Sequence, residues 1–207
     1  KALLRELDEF IISEKPSESF IHIALSNINY NYYSRKELYL SSKKVASSHK
    51  QILYPEHFFT YRDSVVLNDN TLKNYYTYYQ FINRYLDNLA DDGHKKQKTF
   101  FNKTSYEHQT QKLRLIDSLI TNKQLHDNLL HNTVKRYLVH ADDIQKEHDL
   151  VALFKKLDHN EAHQKEVERY AHNTAKINAG ELIPNLALIT AKNEITSLQK
   201  INASKTV

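Results

Sequence analysis

The sequence predicts an all-α fold of about eight helices, arranged as a bundle or array, followed by a short β segment near the C-terminal end. Glycine occurs twice and proline three times in 207 residues, so few positions interrupt a helix. Apolar residues recur at intervals of three and four along most of the chain, which is the spacing of one helix face. After Gly180 the interval changes to two, which is typical of a strand.

Three helices are predicted in the first third of the chain. Residues 1–13 carry apolar side chains at helical spacing, and Pro16 then marks a break before the next helix. That next helix is long and covers residues 17–50. Pro55 opens a short third helix over residues 55–64, because a proline in the first turn gives up no helical hydrogen bond.

The clearest helical pattern is NDNTLKNYYTYYQFINRYLDNLADDG, in which Asn70 is placed to cap the start and Gly93 to follow the end. Beside its main apolar stripe runs a second stripe of Tyr78, Phe81 and Tyr85. This broad aromatic face is typical of a helix that packs between neighbouring helices.

Four more helices are predicted in the rest of the helical region, over residues 105–121, 122–141, 143–157 and 159–177. Asn122 is placed to cap the second of them, and Asp142 or Asp143 to cap the third. No internal repeat of fixed period is present, so the sequence does not indicate a repeat architecture.

The last 28 residues, GELIPNLALITAKNEITSLQKINASKTV, follow a different pattern from the helices. Pro184 holds the residue before it in an extended conformation, and TAKNE separates two short β-type runs. A hairpin of this size needs further strands to be stable. We therefore expect a helical domain over residues 1–178 and the beginning of a second domain, truncated, over residues 179–207.

The composition limits the chemistry of the chain. The sequence contains no cysteine, so these residues carry no thiol or thiolate–metal chemistry. It opens on Lys1 and contains no methionine, so we expect a piece of a longer protein, with any membrane anchor outside this piece. No stretch approaches the roughly 20 apolar residues that span a bilayer.

The net charge of +4 and the pI near 9.0 leave a nucleic-acid-binding module as an alternative. In that alternative Lys95, Lys96 and Lys98 would contact phosphates. Acidic and basic residues alternate along the chain, however, and the run GHKKQK lies between two helical patterns, which favours a solvated loop. A freestanding scaffold or interaction domain is a third possibility.

Among twelve histidines, the spacing of His159 and His163, with Glu166 one turn further, matches a two-histidine, one-carboxylate metal site. His163 also falls on the apolar stripe of Val167 and Tyr170, which favours a packed histidine over a ligand. We therefore predict no metal and no cofactor. The sequence also lacks the glycine loops and nucleophile motifs of common hydrolases and nucleotide-binding enzymes.

The end of the chain resembles the opening segment of TlpA-like thioredoxin-fold proteins, in the broader peroxiredoxin-like (AhpC/TSA) group. The matching residues, in order, are Gly180, Pro184, Leu186, Leu188, Ser197, Leu198 and Val207. The segments YNYYSRKELY, PEHFFTYRDSVVLNDNTLKNYYTYYQFINRYLDNLA and LRLIDSLITNKQLHDNLLHNTVKRYL also resemble the helical region that precedes the thioredoxin domain in many such proteins.

The resemblance implies a parent protein that reduces or exchanges disulfides outside the cytoplasm, in the cell envelope or periplasm. Its redox cysteine would follow the strand that begins near Val207, at a helix N-terminus that lowers the thiol pKa. The helical region would then be non-catalytic. It would position the redox domain and dock protein partners, either disulfide-bearing substrates or a reductant.

We predict that tyrosine-rich helices form the docking surface, because a tyrosine buries apolar area and keeps a polar tip. The predicted docking residues are Tyr32, Tyr39, Tyr78, Phe81 and Tyr85.

Overall fold

The computed structural model describes residues 2–47, 53–94, 102–141, 143–175, 187–197 and 200. These residues form seven α-helices, one 3₁₀ helix and two strands. In chain order they are α1 (Ala2–Glu14), α2 (Glu18–Ser47), the 3₁₀ helix Thr60–Ser64, α3 (Tyr76–His94), α4 (Tyr106–Leu119), α5 (Lys123–Leu138), α6 (Ile144–Leu157), α7 (Glu161–Ala175), β1 (Ala187–Ile189) and β2 (Ile195–Ser197). The helical class and the late β segment are confirmed, whereas the described α-helices number seven rather than about eight.

The short helix predicted over residues 55–64 forms only in its second half, and there it is a 3₁₀ helix rather than an α-helix. Turns occupy residues 56–59, and only the 3₁₀ helix Thr60–Ser64 follows them. His57 has a φ of 60°, which lies in the left-handed region and interrupts a right-handed helix. The side chains of Tyr61 and Arg62 both bond to Glu37 of α2, so long-range contacts determine this segment.

Asn70 does not cap α3, which begins at Tyr76, five residues after the start that a cap at Asn70 predicts. The side chain of Asp69 accepts hydrogen bonds from the backbone N–H groups of Thr71 and Leu72, at 2.8 and 3.3 Å. These bonds stabilise a turn and compete with the helix. Gly93, predicted to follow the helix, lies inside its last turn.

Side-chain caps begin the next three helices. Ser105 accepts a bond from the N–H of His108, and Asn122 accepts one from the N–H of Leu125. Asp143 accepts bonds from two N–H groups at the start of α6. Each cap satisfies backbone donors that have no partner inside the helix. The predictions for Asn122 and Asp143 are confirmed.

From α1 to α6 each helix packs against the next one along the chain, whereas α7 packs more closely on α5 than on α6. Helix α3 lies between α2 and α4, and α5 contacts α4, α6 and α7. Most of the fully buried apolar side chains come from α3 to α7, and they include Phe81, Ile82, Leu86, Leu113, Ile116, Leu129, Val134, Leu150, Phe154 and Val167. Leu40 of α2 and Leu72, just before α3, are fully buried as well. None of the described helices is long and apolar enough to cross a lipid bilayer.

The two strands form an antiparallel hairpin, in which Leu188 pairs with Thr196 and Ile189 with Ile195. Asn193 has a φ of 65° in the connecting turn, a conformation that asparagine tolerates better than most residues. The predicted hairpin is therefore confirmed. The predicted boundary between the two domains, at residues 178 and 179, lies outside the described residues.

Candidate docking face

The five predicted docking residues lie in two different environments. Tyr32 and Tyr39 on α2 are 58% and 46% exposed, whereas Tyr78 and Phe81 on α3 are 1% and 0% exposed. Tyr85 is half-buried. Because α3 packs between two helices, its aromatic face is enclosed, and Tyr78 and Phe81 present no surface to a partner. The assignment of these two residues to a docking surface is corrected accordingly.

Tyr78 has a structural role in the core. Its hydroxyl donates to the carbonyl of Val66 at 2.8 Å and accepts from the N–H of Asp69 at 3.1 Å. Its ring contacts the ring of Tyr30 edge to face, with centroids 4.9 Å apart. Burial raises the pKa of the Tyr78 hydroxyl, so it remains protonated and can donate.

Tyr32 and Tyr39 belong to a surface that we call the aromatic–cationic face. It joins one side of α2 to the segment before and within the 3₁₀ helix, and it comprises Tyr32, Arg35, Lys36, Tyr39, Tyr54, Phe58 and Phe59. The rings contact one another: the centroid of Phe58 lies 5.9 Å from that of Tyr39 and 5.3 Å from that of Tyr54. Such rings provide contact area at a low cost in side-chain entropy, as binding surfaces require.

A buried ion pair fixes the base of this face. The Glu37 side chain is 0% exposed, and it accepts from Nε and Nη2 of Arg62, both at 2.9 Å. It also accepts from the hydroxyl of Tyr61 at 2.5 Å and from Nδ2 of Asn88 at 2.7 Å. Because both carboxylate oxygens are bonded, the charge is satisfied without water. The network therefore joins α2, α3 and the 3₁₀ helix into one rigid support.

The guanidinium of Arg62 also lies between two rings, 5.3 Å from the centroid of Phe59 and 5.1 Å from that of Tyr85. Cation–π contacts of this kind stabilise a partly buried arginine. Tyr85 thus supports the face from below, and burial raises the pKa of its hydroxyl. Its predicted role as a direct docking residue stays a prediction.

The three candidate metal ligands, which sequence reasoning set aside in favour of a packed His163, do not come together as a two-histidine, one-carboxylate group. His159 is exposed and precedes α7, because the Asn160 side chain accepts from the N–H groups of Ala162 and His163 and begins the helix there. His159 and His163 therefore do not share a helix face. Among the residues that the structure describes, no three histidine or acidic side chains are grouped to hold a metal ion.

His163 instead stacks on His131 of α5, with ring centroids 4.3 Å apart and planes 14° apart. Nδ1 of His163 donates to the buried carboxylate of Asp158 at 3.0 Å, and Glu166 pairs with Lys135 at 2.6 Å. Burial, and then the neighbouring His163, lower the pKa of His131. No sequence pattern indicates this histidine pair, because only the packing of α7 on α5 brings the two rings together.

A second buried polar cluster surrounds Asp87 of α3. Its carboxylate lies 2.5 Å from Nζ of Lys112 and 3.4 Å from Nε2 of His108, and all three side chains are nearly inaccessible. Lys103 and Arg136 approach it to 3.7 and 3.6 Å. Burial alone would raise the pKa of Asp87, but Lys112, His108 and Lys103 outweigh it and hold the pKa well below its usual range.

Comparison of the chain with protein-family models, with curated proteins and with solved structures found no match. The fold and the side-chain geometry therefore carry the functional argument. Lys95, Lys96 and Lys98, the phosphate contacts of the nucleic-acid alternative, lie outside the described residues.

Proposed function

We propose that this chain is the non-catalytic helical domain of an envelope-associated, thioredoxin-like thiol–disulfide oxidoreductase, joined to the first strands of the redox domain. In this role the helices position the redox domain and dock its protein partners. The observation that carries the proposal is the hairpin of β1 and β2, which lies within the segment that resembles the opening of a TlpA-like thioredoxin domain and contains two of the matching residues, Leu188 and Ser197.

The hairpin has the properties of an unfinished sheet. Ile189 and Ile195 are 74% and 82% exposed, although they face each other across the pair. Among the described residues the two strands pair only with each other. An isolated two-stranded hairpin is marginally stable in water, and exposed β-branched residues on it call for a further layer. A thioredoxin-like sheet would provide that layer.

The helices support the docking part of the proposal. Two large aromatic side chains, Tyr32 and Tyr39, stay exposed beside cations on a surface that the Glu37–Arg62 pair holds rigid. A rigid aromatic surface loses little entropy when a partner binds, so it is suited to protein recognition.

The first experiment reads the roughly 15 codons that follow Val207, the distance at which the resemblance places a Cys-x-x-Cys. A stop codon there would contradict the redox proposal and leave the helices as a freestanding interaction domain. If the two cysteines are encoded, the full-length protein should reduce insulin disulfides with dithiothreitol as reductant. Replacing the first cysteine by serine should abolish this activity.

The docking role is tested in the same full-length protein. Tyr32→Ala/Tyr39→Ala should leave insulin reduction unchanged but weaken capture of the partners that form mixed disulfides with a variant lacking the second cysteine. The matched control is Tyr76→Ala, which removes an exposed tyrosine of α3 outside the aromatic–cationic face. Equal capture by the double variant and by this control would refute the docking role of the two tyrosines.

A further inference from the structure

A small open groove lies within the aromatic–cationic face. Arg35, Lys36 and Tyr39 of α2 form one wall, Pro55 and Phe58 form the other, and the groove encloses about 260 Å³. It adjoins a second groove of about 500 Å³, which shares Pro55 and Phe58 and continues along the segment toward Asp63. Two cations therefore face an apolar wall in a space that admits one or two side chains of a partner.

The two cations in this groove have no carboxylate partner in the part of the chain that the structure describes. Several other lysines on the helices are paired with carboxylates, such as Lys44 with Asp91 at 2.7 Å and Lys112 with Asp87 at 2.5 Å. The nearest carboxylate along the chain, Glu37, is already bonded to Arg62, Tyr61 and Asn88. The groove therefore carries positive charge that the described residues do not neutralise.

The ammonium group of Lys36 is held in place by aromatic rings. Its Nζ lies 4.3 Å from the ring centroid of Tyr61 and 4.5 Å from that of Phe58. These rings also exclude water from part of the cation, and burial lowers the pKa of Lys36. An incoming carboxylate would meet a cation that is already oriented and partly dehydrated, which strengthens a charge-assisted hydrogen bond.

The surroundings favour a single carboxylate over a polyanion. The rings along α2 already carry lysine ammonium groups on their faces, since Lys43 lies 5.4 Å from the centroid of Tyr39. Bases of a nucleic acid need free ring faces for stacking. Asp63, which lines the adjoining groove, is exposed and would repel a chain of phosphates that followed this groove.

We infer that this groove binds an aspartate or glutamate side chain of a partner protein, flanked by apolar residues that pack on Pro55 and Phe58. Arg35 and Lys36 bond to the carboxylate, and the exposed edges of Tyr39 and Phe58 contact the apolar residues on either side of the acidic residue in the partner. That the partner is a protein rests on the proposed docking role. The inference adds that this partner presents an acidic side chain between apolar ones.

The test uses a displayed library of random heptapeptides against the 207-residue chain. We expect enrichment of peptides with one acidic residue between apolar residues. A synthetic copy of an enriched peptide should bind at least tenfold more weakly, by fluorescence anisotropy, when its acidic residue is replaced by the matching amide. The same loss is expected for the wild-type peptide with the Arg35→Gln/Lys36→Gln variant of the chain.

The control removes the same charge elsewhere: Lys156→Gln/Arg169→Gln alters two exposed cations of α6 and α7 and should leave the affinity unchanged. If the double variant misfolds, the single variant Arg35→Gln replaces it in the test, because Arg35 is exposed. The single variant should still weaken peptide binding severalfold. Circular dichroism of each variant checks the fold.

Three results would overturn the inference. The first is that no peptides are enriched. The second is that enriched peptides bind equally well without their carboxylate. The third is that a 20-nucleotide oligo-dT binds the wild-type chain more tightly than the peptides do, and that the Arg35→Gln/Lys36→Gln variant loses this binding. The outcome is independent of the redox proposal, because a stop codon after Val207 leaves this binding test intact and a failed selection leaves the insulin assay intact.

Discussion

Glu37 and Arg62 form a two-pronged ion pair at the centre of the N-terminal half, with both nitrogen–oxygen distances at 2.9 Å. The glutamate is inaccessible and the arginine side chain is only 18% exposed. The pair connects a residue of the longest helix to a segment that has little regular structure of its own. Together with the Tyr61 hydroxyl bond and the ring contact of Phe58 with Tyr39, the pair holds this segment against α2.

Arg62→Met should destabilise the protein by about 3–5 kcal/mol, because it leaves the Glu37 carboxylate buried and without its counter-charge. Urea denaturation monitored by circular dichroism measures the change in free energy of unfolding. Arg35→Met, at an exposed arginine of α2, serves as the control and should change the free energy of unfolding by less than about 0.5 kcal/mol. If the free energy of unfolding of Arg62→Met lies within about 1 kcal/mol of the wild-type value, the ion pair does not stabilise the fold as proposed.

Asp87→Asn should cost about 3–5 kcal/mol at pH 7, since Lys112 would keep its buried charge without an ionised partner. The cost should shrink in acid. The pKa of Asp87 in the folded protein is depressed below its ordinary 3.8, so near that pH the folded protein binds fewer protons than the unfolded chain. The stabilisation by the ionised carboxylate is therefore fully present well above pH 3.8 and is lost as the pH falls from there toward the depressed pKa.

Urea titrations of the wild type and of Asp87→Asn at pH 7, 5 and 3 measure this dependence. Asp8→Asn, at an exposed position of α1, is the matched control and should track the wild type at every pH. An Asp87→Asn cost that is as large at pH 3 as at pH 7 would show that the carboxylate charge is not the stabilising element.

The stacked histidines should make stability depend on pH in a second range. Burial and His163 lower the pKa of His131 below its ordinary 6.5, so the folded protein resists a proton that the unfolded chain accepts. Stability should therefore fall as the pH drops through 6.5. The charge of Lys135 on α5 also disfavours protonation of His131, whereas Glu166 of α7 and Asp158 favour it. The resulting change in stability with pH should therefore be modest.

His131→Gln should flatten the pH dependence of the thermal midpoint between pH 7.5 and 5.5, which differential scanning calorimetry resolves. His148→Gln replaces an exposed histidine of α6 and should leave the wild-type slope in place. If the two variants give the same slope, the His131–His163 pair is not the group that titrates.

Tyr78→Phe and Tyr39→Phe remove the same hydroxyl from different environments. The first should cost about 1–3 kcal/mol, because it takes a buried partner from the Val66 carbonyl and the Asp69 N–H. The second should be nearly neutral, since Tyr39 is exposed. Equal free energies of unfolding for the two variants would contradict the placement of Tyr78 in the core.

Local signals account for the features that were predictable from sequence. Asn122 and Asp143 cap helices through bonds to backbone groups two or three residues away, so the sequence alone contains all the information needed. The hairpin is similar, because its turn and both strands fall within eleven residues. The change of apolar interval after Gly180 was therefore a sufficient guide.

The errors arose where contacts between distant residues override local preference. Pro55 and the apolar pattern after it suit a helix, yet Tyr61 and Arg62 bond to a glutamate 24 and 25 residues earlier. The difference between Tyr39 and Tyr78 has the same origin, since both lie on amphipathic helices and only the position of α3 between two neighbours buries the second. The cluster around Asp87 combines side chains from three helices, so no periodic pattern in the sequence indicates it.

The order in which the helices pack also bears on how the chain acquires its structure. Because most helices pack on their neighbours in sequence, most of the loops that must close are short, which corresponds to low contact order and rapid folding. The Glu37 network closes as soon as α3 has been made, and the Asp87 cluster is complete with α5. A nascent chain leaving the ribosome can thus neutralise each charge shortly after it is synthesised, without waiting for the C-terminal strands.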